Sequence, residues 1–253
     1  IPCLNEEATL PQVIAGLPDR IDGIDRIEVM VIDDGSTDRT VEVARKLGVD
    51  HILRNTSNKG LARTFQAGID HALSIGADII VNTDGDNQYS GASIPDLVRP
   101  ILQRRADVVI GDRRPHENTE FSPLKRLLQK LGSKTVRFLA NVDVADAVSG
   151  FRAYSRDAAL KINVMTTFSY TTETLIHAGQ QGLIVTSVPV ETNPATRPSR
   201  LFASMQSFVR KQLTTILRSL FMYRPLSAFV TLGLFMLAVG TVLYHVAVIS
   251  ALY

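Results

Sequence analysis

Short β-rich apolar runs alternate with longer helical patterns over the first hundred or so residues. The runs are Ile27 to Ile32, His51 to Arg54, Ala77 to Thr83 and Asp107 to Gly111. Helical patterns cover Thr9 to Leu17, Asp38 to Leu47, Gly60 to Ala72 and Ile94 to Arg105. The strand runs are apolar on both faces, and the crossovers hold about ten residues or more. That combination specifies an α/β fold with a mostly parallel, doubly wound sheet and flanking helices. Farther on, a strand-like segment ends in Ser149-Gly150-Phe151-Arg152-Ala153-Tyr154, a helix covers Thr171 to Gln181, and a last strand covers Ile184 to Thr192. No Gly-x-Gly-x-x-Gly follows the first strand and no Walker-type Gly-Lys-Ser/Thr occurs, so dinucleotide and P-loop chemistry lose ground.

Ligands of open α/β sheets gather at the carboxyl ends of strands. Two such ends here are acidic: Asp33-Asp34-Gly35-Ser36 and Asp84-Gly85-Asp86-Asn87-Gln88-Tyr89. Two carboxylates one residue apart repel, and both stay ionised only when a cation or hydrogen-bond donors compensate them. Mg²⁺ takes one or two carboxylates and fills its other positions with phosphate oxygens and water. Either stretch also reads as a plain turn, with Ser36 or Thr37 capping the next helix and Asp38 in its first turn.

Net charge is only +2, but it is unevenly placed. Acids cluster in the first hundred residues, and bases are dense from Arg113 to Arg152 and from Arg197 to Arg224. Pro123 to Leu139 reads as an amphipathic helix with Lys125, Arg126, Lys130, Lys134 and Arg137 on one face, either solvated or turned to a phosphate. The single cysteine, Cys3, excludes an internal disulfide. Ile1 stands inside a strand-like run, so a few residues are expected ahead of it, and no signal peptide is visible at this start. The composition changes after Arg200. Leu201 to Tyr223 places apolar residues at helical spacing among Arg210, Lys211 and Arg218, as in a helix lying in a membrane interface. Leu226 to Tyr253 contains no Asp, Glu, Lys or Arg, and a span needs about 20 apolar residues. The bases on its N-terminal side place the globular part in the cytoplasm. Three segments follow: a domain over 1–200, a juxtamembrane helix over 201–225 and a transmembrane segment over 226–253.

Pro2-Cys3-Leu4-Asn5-Glu6, Asp33-Asp34-Gly35-Ser36, Asp84-Gly85-Asp86-Asn87-Gln88 and Ser149-Gly150-Phe151-Arg152 occur in that order. Together they resemble the inverting family 2 glycosyltransferases of GT-A fold, most closely the dolichyl-phosphate mannose synthases and the bacterial polyprenyl-phosphate glycosyltransferases. The resemblance runs from Ile1 to about Arg200. It implies that Pro2, Leu4 and Glu6 line a nucleotide pocket and that Asp34, with Asp33, binds the base. It implies that Asp84, Gly85, Asp86 and Gln88 hold Mg²⁺ or Mn²⁺ and the diphosphate of a UDP- or GDP-linked sugar, with Arg197 and Arg200 closing over it. Arg113 and Arg152, supported by Lys125 and Arg126, would face the phosphate of a polyprenyl lipid. Asp86, Arg113 and Arg152 would thus carry the transfer. Three positions depart from the pattern: Asp112 stands for a small residue, Gln129 for Ser, and Thr196-Arg197-Pro198-Ser199-Arg200 is a contracted loop.

A phosphomonoester has a second pKa of about 6 and arrives largely ionised, so it needs cations rather than a base. A hydroxyl acceptor would need a base, with Asp112 and Glu173 the first candidates. Glu173 also reads as a favourable first-turn acid. The chain has no Trp, so the Gln-x-x-Arg-Trp motif of processive polysaccharide synthases is absent. A catalytically silent membrane adaptor on the same fold is the reading from another class. The expected partners are the sugar nucleotide, the lipid phosphate and a cell membrane. Nucleic acid is not among them, and a homo-oligomer is allowed.

Overall fold

The structure, a computed structural model, describes residues 1–114, 137, 140, 142–164, 170–194, 214, 217–218, 221–222 and 225–252. Strands β1 (Pro2–Cys3), β2 (Met30–Asp33) and β3 (His51–Arg54) form a parallel sheet in that order. Strands β4 (Ile79–Asn82), β5 (Val108–Asp112), β6 (Arg152–Ser155) and β7 (Val185–Pro189) form a second sheet in the order β4-β6-β5-β7. The helices that precede β4 are α1 (Leu10–Ala15), α2 (Thr40–Lys46) and α3 (Leu61–Ser74). Helices α4 (Ile94–Leu102), α5 (Arg156–Lys161), α6 (Tyr170–Gln180) and α7 (Pro225–Leu252) follow it.

The expected α/β architecture is present, and most elements lie where the sequence put them. One strand differs. β6 begins at Arg152 and runs antiparallel to both β4 and β5, pairing Arg152 with Asn82 and with Ile110. This reversal has a direct consequence. It brings the entry of β6, Ser149 to Phe151, to the edge where β4 and β5 end. Helix α5, not anticipated, starts at once from β6, because the Ser155 hydroxyl accepts the Ala158 N–H at 3.2 Å.

Both faces of the second sheet are covered. Val108 and Ile110 pack with Phe65, Tyr154, Leu175 and Ile176, while Val109, on the other face, packs with Leu97, Val98 and Phe151. That is why the β5 sequence is apolar at odd and even positions alike. Helix α3 joins the sheets. Its Gly68 lies against Ile32 of β2, and its Phe65 stacks on Tyr170 of α6 at 4.1 Å.

Helix α7 holds 28 residues, about 42 Å of helix. Leu226, Phe229, Leu234, Phe235, Met236 and Leu237 along it are exposed. A soluble core helix would bury such residues, so the exposure fits a lipid-facing helix. Pro225–Val248 is long and apolar enough to cross a membrane. All of the basic helix expected over Pro123 to Leu139 except Arg137, and most of the segment expected over 201–225, lie outside the described residues.

Candidate active site

Three loops at the carboxyl ends of β1, β2 and β4 are stitched together by backbone and side-chain hydrogen bonds. After β1, Asn5 takes a left-handed conformation, φ 55°, and its N–H donates to Ser36 Oγ at 2.8 Å. Asn5 Oδ1 accepts the Thr37 N–H at 2.8 Å, and the Glu6 N–H donates to Thr40 Oγ1 at 2.8 Å. The Thr9 hydroxyl lies 2.7 Å from the Gly85 carbonyl and 2.9 Å from Glu6 Oε2, which joins this loop to the acidic one. Gly85 is required there: a Cβ on it would sit 2.9 Å from Cys3 Sγ. Pro2 and Glu6 are buried in this seam, and Leu4 is half-buried.

The two adjacent aspartates at the end of β2 have different duties. Asp33 is wholly buried, accepts the Ser36 N–H at 3.1 Å and pairs with Arg54 at 3.4 Å. It is therefore a strut of the loop, which corrects the expectation that it contacts the base. Asp34 accepts from Asn55 Nδ2 at 2.9 Å and from the Lys59 and Gly60 N–H groups at 2.8 and 2.9 Å. Gly60 precedes α3 with φ 89°, so Asp34 fixes the wall from which α3 departs.

The acidic loop is held from both sides. Asp86 Oδ1 accepts the Gln88 N–H at 3.1 Å. Asn87, at φ 61°, is gripped by Asn193, whose Nδ2 donates to the Asn87 carbonyl at 3.0 Å. The Asn193 N–H donates to the Gln88 carbonyl at 2.9 Å. Asp84 faces the entry of β6: a Cβ on Gly150 would lie 3.2 Å from its Oδ2 and 2.7 Å from Tyr170 Oη. Burial, and then the charge of Asp86, push the Asp84 carboxyl up to about 6. Asn82 Nδ2 donates to the Gly150 carbonyl at 2.8 Å, and the Gly150 N–H donates to Tyr89 Oη at 3.1 Å. Tyr89 stacks on Phe151 at 4.9 Å, and the Arg113 guanidinium lies 6.0 Å from the Tyr89 ring centre. Arg113 is fixed by Asp146, through Nε at 2.7 Å and Nη2 at 3.1 Å. Aspartates, two closely packed glycines, Gly85 and Gly150, and one braced arginine thus meet at the strand ends.

The sequence profile of Glycosyl transferase family 2 matches residues 1–162. The chain belongs to that family. Among its relatives, the polyprenol monophosphomannose synthase of Mycolicibacterium smegmatis is 30% identical over 171 residues, covering 65% of this chain and 63% of the synthase. The UDP-N-acetylglucosamine–dolichyl-phosphate N-acetylglucosaminyltransferase of Methanococcus voltae is 28% identical over 215 residues, covering 76% of this chain and 83% of that enzyme. The fold is shared with glucosyl-3-phosphoglycerate synthase of Mycobacterium tuberculosis. Its complex with Mn²⁺, UDP-glucose and glycerol 3-phosphate superposes with a TM-score of 0.66 at 22% identity, covering 86% of this chain and 77% of that one.

In this family 2 glycosyltransferase the GT-A-like fold and the enzyme class are as the sequence implied. A second assignment, after that of Asp33, is overturned by the geometry. The Arg152 side chain is fully buried, 0% exposed. Its Nε donates to the Ser149 carbonyl at 2.7 Å, its Nη1 to the Thr171 carbonyl and Thr174 Oγ1 at 2.8 and 2.7 Å, and its Nη2 to the Ala147 carbonyl at 2.8 Å. Four of its five N–H donors are spent on the protein and the side chain is buried, so it does not face an acceptor phosphate. Lys125, Arg126, Arg197 and Arg200 lie outside the described residues.

Among the described residues no group of three or more His, Cys, Asp or Glu forms a metal cluster. Asp84 and Asp86 still suit Mg²⁺ or Mn²⁺, which need only one or two carboxylates when a diphosphate supplies further oxygens. The raised pKa of Asp84 marks a carboxylate that gains from a cation. The two alternative base candidates are placed differently. Asp112 accepts the Arg114 N–H at 2.8 Å, and Glu173 is buried in the first turn of α6. Sequence reasoning missed Asp146 and Asn193. Asp146 stands 33 residues from Arg113, and no spacing rule links them.

Proposed function

We propose that this family 2 glycosyltransferase transfers a sugar from a UDP- or GDP-linked donor to the phosphate of a polyprenyl lipid. The transfer inverts the anomeric centre, requires Mg²⁺ or Mn²⁺ and takes place at the cytoplasmic face of the cell membrane. The observation that carries this reading is Arg113: a braced guanidinium beside the acidic loop, in a chain that also bears an exposed apolar helix. The names of the relatives from M. smegmatis and M. voltae point to the same acceptor class.

The donor binds with its diphosphate at Asp84, Asp86 and Gln88, and Asp34 shapes the nucleoside wall. A divalent cation there, when bound, neutralises charge on the leaving diphosphate. Arg197 and Arg200 add positive charge on the donor side, and Lys125 and Arg126 assist Arg113 on the acceptor side. An oxygen of the lipid phosphate attacks the anomeric carbon. The bond from that carbon to the diphosphate oxygen breaks, and the nucleoside diphosphate leaves. The acceptor oxygen is already ionised, so no side chain has to take a proton. Arg113 lines up the attack because a guanidinium grips phosphate through two parallel hydrogen bonds.

The test is a screen of UDP- and GDP-sugars against a polyprenyl phosphate in detergent with Mg²⁺ or Mn²⁺. A glycosyl phosphate lipid is the expected product. Equal transfer to a free polyprenol or to a sugar hydroxyl would overturn the acceptor assignment.

A further inference from the structure

The Asp146 side chain is 1% exposed and that of Arg113 20%, so the pair is sheltered and only the arginine reaches the surface. Asp146 takes Arg113 side-on, through Nε and Nη2, a contact that fixes the plane of the guanidinium. Among the described residues no partner occupies Nη1, which is the end left for an incoming anion.

A second carboxylate stands near the same arginine. Arg113 lies over Tyr89, Tyr89 Oη accepts the Gly150 N–H, and a Cβ on Gly150 would lie 3.2 Å from Asp84 Oδ2. Arg113 and Asp84 thus belong to one contiguous cluster. Asp84 is a half-buried carboxylate two residues from Asp86, and two such charges draw in any cation that approaches. An unbraced Arg113 would turn toward it and compete with the metal and the donor diphosphate.

We propose that Asp146 is a positioning residue for the transfer: it holds Arg113 on the acceptor side and keeps it off the acidic loop. The role rests on the acceptor assignment of Arg113 made above. Asp146 is itself held in place. The Ser149 N–H donates to its carbonyl at 3.3 Å, and buried Arg152 ties down the carbonyls of Ala147 and Ser149 just behind it. The arginine that does not bind phosphate therefore anchors the loop that aims the arginine that does.

The experiment is a double-mutant cycle on the full chain in detergent, read as separate donor and acceptor constants. Asp146→Asn is expected to raise the acceptor KM about tenfold and the half-saturating Mn²⁺ concentration about threefold, with kcat less affected. In an Arg113→Ala background, Asp146→Asn is expected to change the acceptor KM less than twofold, because the aspartate acts through the arginine. Asp146→Glu keeps the charge, displaces the fork by one methylene, and should recover part of the loss. Where Asp146→Asn does not fold, Asp146→Glu decides alone. A threefold rise in acceptor KM at unchanged melting temperature and donor KM supports the role, and an unchanged acceptor KM overturns it. Additive losses in the cycle, or an acid limb of the pH–rate profile that vanishes only with Asp146, would make Asp146 an independent group and overturn it too. A chain that transfers to no phosphate-bearing acceptor overturns the acceptor assignment itself. Transfer with additive losses overturns only the role of Asp146.

Discussion

The Arg152 guanidinium donates to the carbonyl oxygen of Thr171 at 2.8 Å, which ties the first residue of β6 to the first turn of α6. Three further contacts reach Ser149, Ala147 and Thr174. Removing the side chain takes a donor from four buried acceptors, of which the Thr171 carbonyl keeps the Thr174 hydroxyl at 3.2 Å. Each such loss costs about 1–3 kcal/mol. Arg152→Met should therefore destabilise the fold by about 3 kcal/mol or more. That corresponds to roughly 6–12 °C in melting temperature for a domain of this size. Thermal melts check it. A variant that melts like the parent and loses only acceptor affinity would restore Arg152 to the phosphate site.

The second prediction concerns pH. Asp84 titrates at about 6 in the folded chain, against 3.8 for an ordinary aspartate. The folded state holds the proton more tightly, so stability falls as pH rises between those values and stays reduced above them. The cost at neutral pH is on the order of 3 kcal/mol. Asp84→Asn should thus melt higher than the parent at pH 8, by roughly 6–12 °C, and show no such gain at pH 4. Mn²⁺ with a nucleoside diphosphate should stabilise the parent and not the variant. Activity should fall as pH drops through about 6. More Mn²⁺ should move that midpoint lower, because metal and proton compete for one carboxylate. A midpoint indifferent to metal would show that Asp84 is not a ligand.

A third prediction separates holding the acidic loop from being part of it. Asn193 clamps Asn87 and Gln88 from the tail of β7. Asn193→Ala removes about 1 kcal/mol of hydrogen bonding from a loop whose Asn87 is already left-handed. The half-saturating metal concentration and the donor KM should rise about threefold to tenfold, with the acceptor KM unchanged. Asp86→Ala, by contrast, should abolish turnover in a folded protein, and so should a chelator acting on the parent. Activity that survives chelation would dismiss the metal from the mechanism.

Much of this architecture is legible in the sequence because it is local. The acidic loop follows its strand directly, and the two-faced apolar pattern of β5 reports that helices cover both sides. What the sequence hides is long-range. Asp33 and Asp34 are neighbours of one type, and only the fold around Ser36, Arg54 and Gly60 makes one a strut and the other a wall. Arg152 stands in a motif beside a functional loop, where a base suggests a phosphate ligand. The antiparallel course of β6 and the packing of α6 bury it instead. The Asp146–Arg113 pair leaves no periodic trace, since 33 residues separate its members.

The last prediction concerns the apolar helix. Helix α7 exposes Leu226, Phe229, Phe235 and Met236, and no ion pair is recorded along it among the described residues. A helix of this length and composition is stable in lipid, where every backbone group is satisfied within the segment. Its role in the proposed reaction is to keep the active site near a headgroup whose tail never leaves the bilayer. A truncation ahead of Pro225 should then distinguish two acceptors. With a short, water-soluble prenyl phosphate, kcat/KM should stay within about threefold of the parent, because the strand-end site is untouched. With a long-chain acceptor in vesicles, the rate should fall at least about tenfold, because the encounter becomes bimolecular from solution instead of confined to a surface. A protease-protection assay on right-side-out and inverted vesicles should place the globular part on the cytoplasmic side, where Arg218 and Arg224 precede the helix. Equal rates with both acceptors after truncation would deny the helix any part in acceptor use, and protection of the globular part in inverted vesicles would reverse its orientation.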